Sequence, residues 1–92
     1  MYNEYFLYDE KDYEIFTERI NEWKDRLIKK LLLENNNPDV YFSMKKSNMF
    51  DNIFTLLKDN IIDESDLIGF SEKLLNDLKE MVRIYNHNMY NK

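Results

Sequence analysis

The chain has 92 residues, 43% of them apolar and 34% charged, and its 18 acidic against 13 basic side chains give a formal net charge of −5. That is too apolar for a disordered chain and too charged for a membrane-embedded one, and it suffices for one small core. With no Cys, one His, one Gly and one Pro, the sequence excludes a disulfide framework, a thiolate metal site, a Cys nucleophile and a Gly-rich phosphate cradle.

The scarcity of Gly69 and Pro38-type punctuation also argues against a sheet protein, which needs a turn signal every ten residues or so. The expected fold is therefore all-α, a single domain over 1–92 built as a small helical bundle. The opening residues Met1 to Tyr5 lack the basic start and apolar run of a secretory signal. No apolar run nears the roughly 18 residues that cross a bilayer. A cytoplasmic location, bacterial or in a host cell, is the expectation.

Residues 1–8 are aromatic-rich without a period and, with 88–92, are expected to be flexible ends. Asp9 is placed to cap a first long helix, about 10–34, with Glu10, Asp12 and Glu14 in its first turns, where negative charge complements the dipole. Tyr13, Phe16, Ile20, Trp23, Leu27 and Leu31 recur at steps of three and four, one helical face. Lys24, Arg26, Lys29 and Lys30 gather at its end, and Asn35-Asn36-Asn37-Pro38 stops it. Asn37 and Pro38 also suit the start of a short helix, about 38–45, with an extended connector as the alternative.

A helix of about 48–59 follows, with Phe50, Ile53, Phe54 and Leu57 at helical spacing and Asp59-Asn60 as its stop. Asp63 and Asp66 form an approximate capping box, and Ile62 and Leu67 a hydrophobic staple. These open a second long helix, about 64–87, whose stripe is Leu67, Phe70, Leu74, Leu78, Met81 and Tyr85. Gly69 lies inside this pattern at a cost of about 1 kcal/mol against Ala. The alternative is a bend there, with Ser71 capping the continuation. The two long helices are expected to pack antiparallel, the middle helix covering their seam.

Little in this sequence carries chemistry. His87 has no acidic neighbour in register for a metal site. The acids Asp59, Asp63, Glu64 and Asp66 fail the EF-hand pattern, because its third and sixth positions would be Ile61 and Glu64. Ser43, Ser47, Ser65 and Ser71 stand outside any Gly-flanked elbow. The expectation is a non-enzymatic protein with no cofactor and no metal.

Direct nucleic-acid binding is not expected from an acidic chain. Its hooks are Lys45-Lys46 beside Tyr41-Phe42, the basic end of the first helix, and a helix-turn-helix reading of 48–59 and 64–75. The second of those helices carries the wrong sign for a groove reader. The candidate partner-binding residues are instead Tyr5, Tyr8, Asp9, Glu10, Asp12 and Glu14, anchors and carboxylates mixed at the N-terminal end. Alternatively, those aromatics fold back over the bundle end. The acidic last helix is a second candidate surface.

The resulting expectation is an acidic protein-binding module, a small inhibitor or regulator of the anti-defence kind that a phage or mobile element encodes. It would block a basic surface of a nucleic-acid-processing protein. Two alternatives stand beside it. One is a structural module that pairs chains through the Tyr13, Phe16, Ile20, Trp23 and Leu27 stripe; the other is an antitoxin-like nucleic-acid-binding regulator.

Overall fold

The computed structural model describes residues 8–34 and 44–90, with side chains through His87. Among the described residues it is an all-α bundle: α1 (Glu10–Leu33), a 3-10 turn (Lys46–Asn48), α2 (Met49–Lys58), a second 3-10 turn (Glu64–Leu67) and α3 (Glu72–Tyr90). The short helix expected at 38–45 falls mostly on residues outside this set, and Met44 and Lys45 stand in no helix. Residues 1–7 and 91–92 of the expected flexible ends also lie outside it, whereas the backbone of 88–90 continues α3.

Each helix end has a local cause. The Asp9 N–H donates to the Asp12 carboxylate at 3.3 Å, which fixes the start of α1. α2 ends in a Schellman turn. Asn60 takes a left-handed φ of 63°, its N–H donates to the Leu57 carbonyl at 3.1 Å, and the Ile61 N–H reaches back to the Leu56 carbonyl at 2.9 Å.

The expected long helix from 64 is interrupted. The Asp63–Asp66 capping box forms, with the Ser65 N–H on the Asp63 carboxylate at 3.0 Å and the Asp63 N–H on the Asp66 carboxylate at 2.9 Å. It caps only one 3-10 turn. Gly69 then adopts φ 104°, a conformation closed to helices, and Ser71 caps α3 by accepting the Leu74 N–H at 3.3 Å. The bend at Gly69 is thus the correct reading. It removes the second helix of the helix-turn-helix pattern.

That break changes the direction of α3. The Asp12 carboxylate near the start of α1 accepts the Ser71 N–H at 2.7 Å and the Ser71 hydroxyl at 2.6 Å. Tyr13 Oη donates to the Met44 carbonyl at 2.6 Å, just before α2. At the other end, Lys30 Nζ donates to the Asp59 carbonyl at 3.1 Å, where α2 stops. The three helices therefore start at one end and run the same way, not as the antiparallel pair expected. Residues 59–71 carry the chain back along α1 before α3 begins.

The three helices and the returning chain all feed the core. α1 buries Ile15, Phe16, Ile20 and Trp23, with Phe16 edge-on to Trp23 at 6.4 Å. α2 contributes Met49, Ile53 and Leu56; the returning chain Ile61, Ile62, Leu67 and Phe70; α3 Leu74 and Leu78. The inward face of α2 is rotated from the expected one, since Phe50, Phe54 and Leu57 are only partly buried. Met81 and Tyr85 are exposed despite their place in the α3 stripe, although the Tyr85 ring lies edge-on to Phe54 at 6.2 Å and under Lys58.

Gly69→Ala decides between the two readings of this region by sign. In a continuous helix it would add about 1 kcal/mol of stability; at φ 104° it should remove about 1–2 kcal/mol, measured by urea unfolding. Asp12→Ala should cost about 2–3 kcal/mol and Ser71→Ala about 1 kcal/mol. The double variant should lose less than the sum, because both changes break the same contact.

Candidate functional site

Of the six residues singled out at the N-terminal end, the five described ones do not form one surface. Tyr5 lies outside the described residues. Tyr8 is half-buried: its ring stacks on Phe50 at 5.9 Å and its hydroxyl donates to Asp77 at 2.8 Å. Burial, then that hydrogen bond, pushes its ionisation well above the ordinary phenol range. Asp12 is 1% exposed and its carboxylate is engaged inside the fold, so it is corrected from a docking residue to an internal clamp. Glu10 pairs with Lys46 at 2.6 Å. Asp9 and Glu14 are exposed. For Tyr8, folding back over the bundle end is what occurs.

The stripe considered for pairing between chains is likewise used within the chain. Phe16, Ile20 and Trp23 are at most 3% exposed, and Tyr13 and Leu27 pack against the same core. Pairing through it would require opening the bundle.

Among the described residues, two surfaces stand out. The first is an acidic ridge on the outer face of α1, where Glu14, Glu18, Glu22 and Asp25 are all exposed. Their spacings of four, four and three residues keep them on one face over about 16 Å of helix. Of the arginines interleaved with them in sequence, Arg19 turns away and Arg26 divides its contacts. Arg19 donates to the Asp66 carbonyl at 2.8 Å and lies over the Phe70 ring. Arg26 reaches Asp66 at 2.9 Å and also pairs with Glu22 at 2.6 Å. Sequence reasoning missed the ridge because acids and bases alternate there. The spacing of the acids was the available signal.

The basic hooks are largely taken up by the same contacts. Arg26, Lys30 and Lys46 all hold partners within the fold. Exposed Lys11 and Lys29 stand at the two ends of the acidic ridge.

The second open surface is a groove of about 690 Å³ between α3 and the returning chain. Leu57, Ile62, Leu67, Leu75, Leu78 and Val82 make its floor. Asp63 and Glu64 stand on the side of the returning chain, Lys79 and Arg83 on the side of α3. Ile68 lies at its lip, 70% exposed.

Among the described residues no three acidic, His or Cys side chains gather as a metal site would require. Nor is any described helix long and apolar enough to cross a membrane. The chain matches no protein-family model, no curated protein and no solved structure.

The Arg26–Asp66 contact gives the fold a defined acid response. The hydrogen bond from Arg26 holds the Asp66 carboxyl below its ordinary 3.8. A lowered carboxyl contributes stability that is fully present above that value and lost as pH falls through the lowered one. Arg26→Met should therefore be less stable than the parent protein at pH 7. The difference should shrink below about pH 4, as read by urea midpoints across pH.

Proposed function

We propose that the protein is a non-enzymatic binding module whose acidic ridge docks on a basic surface of a nucleic-acid-processing protein and blocks it. In this reading it is a small inhibitor or regulator, of the kind a phage or mobile element encodes against a host defence. The observation that supports it is the ridge itself: Glu14, Glu18, Glu22 and Asp25 are exposed on one helix face, Arg19 is drawn off it, and Arg26 divides its guanidinium between Asp66 and Glu22.

The physical case is one of complementarity. A surface built to hold a phosphate backbone presents Lys and Arg in a row. A helix offers carboxylates at intervals of about 6 Å along its axis for each four residues, and the core beneath fixes the backbone that carries them. Only the side chains then have to be ordered on docking, which limits the entropic cost of binding. The net charge of −5 adds long-range steering toward a basic partner and makes association salt-dependent.

The test is affinity capture from bacterial lysates at moderate salt, followed by competition. A retained nucleic-acid-binding protein should be released by added duplex DNA. The variant Glu14→Lys/Glu18→Lys/Asp25→Lys should bind it at least about tenfold more weakly while keeping its helical circular dichroism. A partner held equally by this variant, or indifferent to DNA, would overturn the reading.

A further inference from the structure

The groove beside α3 has the chemistry of a different contact, and it shares no residue with the acidic ridge. Its lining is mainly hydrocarbon, joined by Asp63 and Glu64 from the returning chain, Lys79 and Arg83 from α3, and the amides of Asn60 and Asn86. The α3 wall runs from Leu75 to Asn86, about 16 Å or three helical turns.

The edges carry opposite signs. Asp63 and Glu64 are exposed on the returning chain, and Lys79 and Arg83 are exposed on α3. Arg83 pairs with Glu80, an exposed contact worth little and readily exchanged. At the lip, Ile68 is 70% exposed although it sits beside the buried Leu67 and Phe70. It is an apolar side chain directed at no part of its own core, which suits an anchor for an incoming chain.

We propose that this groove docks an amphipathic helix of a partner protein, with an apolar stripe on the floor, a basic edge toward Asp63 and Glu64, and an acidic edge toward Lys79 and Arg83. The helix lays side chains spaced at i, i+3, i+4 and i+7 onto Leu75, Leu78 and Val82, the mode by which a groove of this shape reads a helix. The bipolar rim sets specificity. A uniformly basic helix meets Lys79 and Arg83, a uniformly acidic one meets Asp63 and Glu64, and each suffers repulsion along one whole edge.

Three labelled peptides with the same Leu stripe test this, one with a basic and an acidic edge, one with two basic edges and one with two acidic edges. Fluorescence anisotropy should show the bipolar peptide binding about tenfold more tightly than either uniform one. Methyl shifts on binding should centre on Ile68, Leu75 and Val82. Lys79→Glu/Arg83→Glu, both at exposed positions, should transfer the preference to the uniformly basic peptide. Ile68→Ser should weaken all binding about tenfold with the fold intact.

Equal affinity for the three peptides, or shifts centred elsewhere, overturns the proposal. So does sedimentation of a dimer in which the same methyls are already covered, since a second copy is then the occupant. The ridge variant Glu14→Lys/Glu18→Lys/Asp25→Lys should bind the bipolar peptide like the parent protein, so failure of either proposal leaves the other standing.

Discussion

The Asp12 carboxylate accepts three hydrogen bonds from within the fold, from the Asp9 N–H, the Ser71 N–H and the Ser71 hydroxyl. A buried carboxylate is tolerated only when its oxygens are satisfied, and here the donors come from the starts of two helices. One side chain thus completes the cap of α1 and sits at the positive end of α3. Because Asp12 and Ser71 are 59 residues apart, this contact fixes which end of α3 meets α1. The contacts of Tyr85, late in α3, with Phe54 and Lys58, late in α2, then make the arrangement parallel.

Parallel helices gather like ends of their dipoles, which repel unless compensated. The acids at the helix starts supply that compensation: Glu10 and Asp12 in α1, Asp51 in α2, Glu72 in α3. At the opposite end Lys30 donates to the carbonyl of Asp59, the residue that caps α2. Much of the acidity at the N-terminal end is therefore structural. Parallel packing also requires a return path, and Arg19, Arg26 and Lys30 line α1 to hold residues 59–66 along it.

Both open surfaces are consequences of that return path. Drawing Arg19 toward the returning chain, with Arg26 shared between Asp66 and Glu22, leaves Glu14, Glu18 and Asp25 exposed along the outer face of α1, which makes the ridge. Laying residues 60–68 beside α3, instead of winding them into it, leaves a channel between the two with hydrocarbon at its floor. The side chains that hold the fold together are thus also those that shape the surfaces on which binding is proposed.

The sequence by itself determined α1 and α2 and where they stop. Three-four periodicity located α1 and α2 to within a residue or so, and the Asp63–Asp66 box was legible as local chemistry, since capping involves neighbours in the chain. It also determined that Phe16, Ile20, Trp23, Leu74 and Leu78 face inward. Tertiary structure alone decided the rest. Whether Gly69 continues a helix depends on Ser71 finding Asp12, a contact across 59 residues that no local pattern encodes. Whether an exposed-looking acid such as Asp12 is surface or clamp depends on the same contact. The ridge and the groove were hidden for a related reason: each exists because distant segments draw charge or backbone away from it.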